Sequence, residues 1–483
     1  MRVDTLYGVK RSGGSKSISL PTRYSGVLGR NLVWFIPAFM AIQALVYGGL
    51  VPSQQAGTFP IIVLGGFKIR FEDILIISGF SLWLVTLIMN NLAKGETQRK
   101  PRARNRVQPI WILTIWAGIG FVQAAIRGVR AGNVNSLLDT RAVALPLLYF
   151  ALATFWVPAI SLTFLGRVLR STLFPLVVVL TLSNFLPIGE EISLILSKID
   201  GVYGSNATAL DPMVVFFYCL VWTSILFAKR LRFRSVFLAL FVMAGMVAKI
   251  SKPNWVYAIE VPILVLMIAG QGGRLFLHKR SHARPRWLLS VIIVLVVLVS
   301  AVAFLRYFLP ETLDSYMTSA KDRITRPDAG GDISGGRFDQ MSAGLNKLKE
   351  APIFGIGLGV WAQDYALGTL PNDVPDHFFP LWVTIRGGFF TFIPVLILIF
   401  WYIRKGFRAC KLVLNSERQG FVTACFVYTM TMIVYSLYGV PQNLFEAQIL
   451  FWLSVAVVLN AAHHFENRVI ARRPSLASEG RAE

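Results

Sequence analysis

The chain has 483 residues, of which 55% are hydrophobic, 13% aromatic and only 15% charged. That is too little polar surface to coat a soluble globule, so something other than water must solvate much of the chain. The net charge of +23 is interleaved with long apolar runs, which points to orientation in a membrane and attraction to anionic headgroups, and away from nucleic acid.

In chain order, a basic, hydrophilic N-terminus (1–30) runs directly into a full-length apolar segment that can act as an uncleaved anchor, so no cleaved signal peptide is expected. Apolar runs of about 17 to 22 residues then recur, each long enough to cross a hydrocarbon core of about 30 Å as a helix. They predict spans over 31–51, 72–92, 109–126, 142–158, 172–188, 212–228, 235–250, 254–270, 287–308, 384–402, 419–438 and 446–462. The fourth, seventh and eighth are short or carry Pro146, Lys249 or Glu260, so ten or eleven spans would also fit. The predicted fold is an all-α polytopic membrane protein of about 12 transmembrane helices. Helices 1–9 occupy 31–308, helices 10–12 occupy 384–462, and one large loop (309–383) joins the two groups.

Charge sets the sidedness. The first 30 residues, Lys94 to Arg106, Lys229 to Arg234, Arg274 to Arg286, Arg404 to Arg418, the tail (463–483) and the pair Arg167 and Arg170 hold roughly 32 of the 48 Lys+Arg. Cations retain loops on the cytoplasmic side, so both termini are predicted to be cytoplasmic and the large loop external. Cys219 and Cys425 fall inside spans and Cys410 in a cytoplasmic loop, which gives no disulfide framework.

The loop begins polar and then reads SGGRFDQMSAGLNKLKEAPIFGIGLGVW. Phe338, Met341, Leu345 and Leu348 recur at helical spacing, predicting an amphipathic helix over about 335–349 with Arg337 in its first turn. Pro352 and the glycines 355, 357 and 359 follow. Those glycines suit close packing of a re-entrant turn better than a phosphate cradle, because a dinucleotide fingerprint needs a preceding strand, a following helix and a cytosolic domain.

His377 is the only histidine that this topology puts outside, since His278, His282, His463 and His464 are all cytoplasmic. An imidazole beside Asp376, where the loop returns to the bilayer, suits a general base, although an ordinary hydrogen-bonding loop histidine would read the same. External cations (Arg127, Arg130, Arg141, Lys249, Lys252, Arg337 and Arg386) are disfavoured on the translocated side, and their presence asks for anionic partners such as phosphate. Arg127 and Arg130 are expected to snorkel to headgroups. No external His/Cys/Asp cluster has convincing metal-ligand spacing.

Together, SGGRFDQ…LNKLKEAPIFGIGLGVW, His377 about 40 residues after Arg337, and Gly387-Gly388 opening the next span resemble the bacterial O-antigen ligase and O-antigen polymerase superfamily. LLDTRAVALPLLYF and Ser251-Lys252 are weaker matches. The chain departs from the family pattern at Lys252, often Arg, and at Phe378, often a small polar residue.

The resemblance implies a multi-pass enzyme of the bacterial inner membrane, acting on the periplasmic face without cofactor or metal. It would transfer a glycan from a polyprenyl-diphosphate-linked donor to a sugar hydroxyl. His377 would be the base; Arg337, Lys252 and Arg141 would bind the diphosphate, with Asp376, Arg386 and Glu260 in support. Polymerisation of O-antigen or exopolysaccharide repeats is the first reading, and ligation of the finished glycan onto a lipid core, as in lipopolysaccharide, the second. Membrane lipids, a chain-length regulator and a flippase are the implied companions.

A flippase or transporter is the competing class, favoured by Glu260 within a span. Against it stand the lack of an evident repeat between the halves and the clustering of candidate residues at one face.

Overall fold

The computed structural model describes residues 60–64, 67–70, 109–132, 162–183, 211–227, 233–248, 252–276, 344–346, 348–359, 379–413, 416–436 and 450–464, with five isolated positions besides. It is helical apart from one hairpin. Strands β1 (Pro60–Leu64) and β2 (Phe67–Arg70) pair antiparallel, Leu64 opposite Phe67 across a two-residue Gly65-Gly66 connection. Two glycines between short runs rich in branched residues are a hairpin signal, and the span-by-span reading of the sequence passed over it.

Among the described residues, eight helices carry the fold: α1 (Pro109–Arg130), α2 (Leu162–Ser183), α3 (Asp211–Phe227), α4 (Phe233–Ala248), α5 (Lys252–Phe276), α6 (Phe379–Leu412), α7 (Ser416–Tyr435) and α8 (Leu450–His464). Each falls on an expected apolar run. The expected spans at 31–51, 72–92, 142–158 and 287–308 lie outside the described residues, apart from isolated positions.

Among the described residues, two helical stretches, Ile112–Arg130 and Phe379–Leu412, are long and apolar enough to cross a membrane; Pro212–Phe227, Phe233–Met246, Val256–Ile268 and Leu450–His464 are shorter apolar helices. A fold of about twelve spans therefore goes further than the described helices reach.

Helix α3 is the hub, touching α2, α4, α5 and α7. It is apolar on every face, and Phe216, Phe217, Tyr218, Cys219 and Leu220 are all wholly buried, as expected of a helix surrounded by others. Thr223 and Thr429 in this core bond within their own helices: Thr223 Oγ1 donates to Cys219 O (2.8 Å) and Thr429 Oγ1 to Phe426 O (2.8 Å). Two more tie helices together, Tyr218 donating to Ala258 O on α5 (3.2 Å) and Tyr402 on α6 pairing with Thr429 on α7 (2.6 Å).

Helices α1 and α6 form a second packing unit. Its polarity is reversed from that of a soluble protein. On α1, Ile112, Ile115, Ile119, Val122, Ile126 and Val129 are 48–61% exposed, while the buried side carries Ala117, Gly120, Ala124 and Gly128. Large aliphatics outward and small residues inward let the helix backbones approach closely, the pattern of helices packed in lipid.

Helix boundaries correct the sequence reading in two places. Helix α2 begins ten residues ahead of the expected span, and Arg167 on this added length pairs across with Glu417 (2.9 Å). Helix α6 starts at Phe379 and runs to Leu412, so Gly387 and Gly388 lie within it and do not open it, and Cys410 is a buried helical residue and not a loop one.

Candidate functional site

Three contacts gather one end of the bundle. Leu358 N–H donates to Ala124 O near the end of α1 (2.9 Å), Phe379 N–H at the start of α6 donates to Ser436 O just past α7 (3.0 Å), and the rings of Tyr257 on α5 and Tyr435 on α7 meet at 5.7 Å. Lys252 opens α5, eight residues before Glu260.

At this end α6 is broken. Gly388 has φ 66° and ψ −176°, a backbone region essentially confined to glycine. The break separates two donors from two acceptors that a continuous helix would pair four residues apart: Phe389 and Phe390 N–H from Ile385 and Arg386 C=O. All four find partners in residues 352–357. Phe389 N–H donates to Pro352 O and Phe390 N–H to Ile353 O (both 2.9 Å), while Ile385 O accepts from Ile356 N–H (2.9 Å) and Arg386 O from Gly357 N–H (3.1 Å).

The segment thus replaces, bond for bond, the helix turn that Gly388 interrupts. This matters most in an apolar medium, where each unmet backbone group costs several kcal/mol and non-helical backbone persists only when protein satisfies it.

Glycine permits the approach on every side. A Cβ on Gly388 would collide with Ile353 C=O, one on Gly357 with the backbone of Gly128, and one on Gly128 with Leu358 C=O. Gly355, Gly357 and Gly359 all have positive φ, at 69°, 99° and 86°. The GIGLG run is therefore a close-packed backbone strap. Ahead of it, residues 344–346 and 348–350 are helical; Leu348 is buried, and Gly344 sits against the side chains of Ile385 and Leu381.

Two arginines flank the strap. Arg127, expected to snorkel, instead donates from Nη1 to Gly355 O, with its guanidinium 5.7 Å from the Phe354 ring centre. Phe354 in turn packs on Phe390 (5.5 Å), which meets Trp116 edge-on (5.7 Å). Arg386 is 3% exposed, with its guanidinium 4.6 Å from the centre of the Trp382 ring, and Trp382 stacks on Phe379. Sequence reasoning missed the role of Arg127 because its partner lies 228 positions away and no local pattern reports it.

Of the other predicted site residues, His377, Asp376, Arg337 and Arg141 lie outside the described residues, His377 two positions ahead of Phe379 in sequence. Glu260 lies on α5 with both carboxylate oxygens shielded and without a hydrogen-bond partner among the described residues. No group of three His, Cys, Asp or Glu able to hold a metal ion occurs among the described residues.

The opposite end is an ordinary charged surface. Arg167 and Glu417 form an exposed pair (Nε–Oε1 2.9 Å), and Arg418 donates to Thr163 Oγ1 (3.3 Å). The hydrogen bond from Arg167 holds the Glu417 carboxyl below its usual range, Arg170 and Arg418 adding to it, and the same bond raises Arg167.

No protein-family profile matches the sequence, and no characterised protein does either.

Proposed function

We propose that the protein is embedded in the bacterial inner membrane and transfers glycans from a polyprenyl-diphosphate carrier to a sugar hydroxyl on the outer face. One observation carries the reading. The two parts of the motif behind the family resemblance, PIFGIGLG and IRGG, are separated in sequence, yet they form a single hydrogen-bonded unit at the bundle end that also holds Arg127, Arg386 and the start of the Lys252 helix. The outward aliphatic stripe of α1 supports the membrane setting.

In this scheme His377 takes the proton of the acceptor hydroxyl, whose oxygen bonds to the anomeric carbon as the carbon–oxygen bond to the diphosphate breaks. Arg337, Lys252 and Arg141 meet the charge gathering on the departing polyprenyl diphosphate, the electrostatic role that matters most where water is excluded. Asp376 orients the imidazole and Arg386 supports the anion site. Polymerisation of O-antigen or exopolysaccharide repeats is the first form of this reaction, and ligation to a lipid core the second.

The test is the glycan profile of a strain lacking the protein, complemented with wild type or His377→Ala. A polymerase leaves single repeats on the final acceptor, and a ligase leaves long chains stranded on the carrier. Full complementation by His377→Ala would remove the proposed base.

A second reading, transport of the lipid-linked glycan coupled to a proton, is favoured by the carboxyl of Glu260, shielded and without a hydrogen-bond partner among the described residues. Glu260→Gln separates the two: accumulation of carrier-linked repeats on the cytoplasmic face marks a transporter, and an unchanged profile marks Glu260 as structural.

A further inference from the structure

We infer that Arg127 is a positioning residue: from α1 it clamps the 352–357 strap into the break of α6 and so fixes where Arg386 stands. The inference deepens the proposed function by assigning regulation of that site's geometry, and it rests on reading this bundle end as the place of transfer.

Among the described residues, polar contacts of three kinds hold the strap, beside the apolar cluster that Leu358 shares with Trp382 and Val383. Its backbone exchanges four hydrogen bonds with the broken turn of α6; the four α6 groups can pair with one another instead, and the four strap groups, once released, pass to interfacial water. If the strap leaves and Gly388 turns helical, Phe389 and Phe390 can bond Ile385 and Arg386 directly, since glycine can adopt either backbone. These bonds alone therefore do not decide between a docked and a free strap. The second contact, Leu358 N–H to Ala124 O, falls on a carbonyl that α1 already uses in its own ladder.

The third contact is of another kind. Arg127 Nη1 donates to Gly355 O, the carbonyl at the centre of the strap, and the same guanidinium lies over Phe354. A charged donor to a carbonyl is stronger than a neutral one, and its side chain reaches across from a different helix. It adds to docking, beside the buried packing of Leu358 with Trp382 and Val383, a polar contact that the exchangeable backbone bonds do not supply.

The consequence reaches Arg386 through covalent geometry. Arg386 stands two residues ahead of the break, its carbonyl is bonded by Gly357, and it is 3% exposed. With the strap docked, the arm 379–387 is set at the angle that Gly388 imposes. With the strap free and Gly388 helical, that arm re-aligns with 389–412 and carries Arg386 with it. A turn with two backbone arrangements and a side-chain clamp is a hinge of the kind that lets a site open and close.

The experiment is amide hydrogen exchange on the full-length protein in lipid nanodiscs without substrate, comparing wild type, Arg127→Ala and Arg127→Lys. Arg127→Ala is expected to speed exchange of the 353–359 amides by about tenfold or more, with the α7 amides of 420–435 unchanged. Arg127→Lys, which retains a charged donor, is expected to fall between the two. Unaltered exchange of 353–359 in Arg127→Ala would overturn the clamp, and so would acceleration spread equally over α7, which marks general destabilisation. The readout needs no glycan, so it can fail while the transfer reading stands. If exchange responds as expected but purified protein transfers no glycan, the clamp stands and the transfer reading falls.

Discussion

The two packing units of this protein are sealed by opposite means. Around α3 and α7, large side chains fill the space between helices, with Phe216, Trp222, Phe426 and Tyr428 essentially inaccessible and Phe216 meeting Tyr428 edge-on at 5.1 Å. Around α1, α6 and the strap, backbone meets backbone: Gly128 against Leu358, Gly357 against Gly128, Gly388 against Ile353. Side-chain packing gives a rigid body whose parts have one arrangement. Backbone packing through hydrogen bonds that can be exchanged gives a joint, and the candidate site is built on the joint.

The largest expected effect tests the rigid half. Phe216→Ala removes a fully buried ring from the hub helix and is expected to cost about 3–5 kcal/mol, seen as a large drop in the thermal midpoint in detergent. Phe216→Leu keeps most of the volume and is expected to cost under about 1.5 kcal/mol. If the two cost the same, the core is not filled by side-chain shape and the contrast fails.

The next effect tests the joint. At Gly388→Ala the positive φ alone costs about 1–3 kcal/mol, and the added Cβ meets Ile353 C=O. The protein can avoid this cost by releasing the strap and closing α6 into a continuous helix. Limited proteolysis is therefore expected to cut within 351–359 in the variant, while the thermal midpoint falls less than for Phe216→Ala. A midpoint drop as large, with no new cleavage, would mean that the break belongs to the rigid body.

The smallest effect belongs to the charged end. Because Arg167 lowers the Glu417 pKa below its unfolded value, the pair's stabilisation is fully present above the ordinary carboxylate range, around pH 4.3, and is lost as pH falls through the lowered value. The pair is exposed and screened, so Glu417→Gln is expected to shift the midpoint only slightly at neutral pH, with the gap to wild type closing in acid and in high salt. A gap that widens in acid would reverse the sign.

The sequence made the helices legible where apolar runs were long, because chain length and hydropathy alone set what can cross an apolar layer. Helix ends were less so: α6 extends through Arg404, Lys405 and Arg408, past the end of the apolar run that set the expected span, since arginine and lysine are good helix formers. The glycine-rich run was legible as close packing, whereas Gly387-Gly388, read as opening a span, lie at a break inside α6. What no local pattern could report is that the two fit together, or that Arg127 closes the fit, since each depends on backbone brought in from a distant stretch of chain.

The most direct test of the account is purified protein in liposomes supplied with a polyprenyl-diphosphate-linked repeat. Transfer of the glycan to a second repeat or to a lipid-core acceptor, abolished by His377→Ala, is the predicted result. Movement of the intact lipid-linked repeat across the bilayer with no glycosidic bond formed would contradict it and make the protein a transporter.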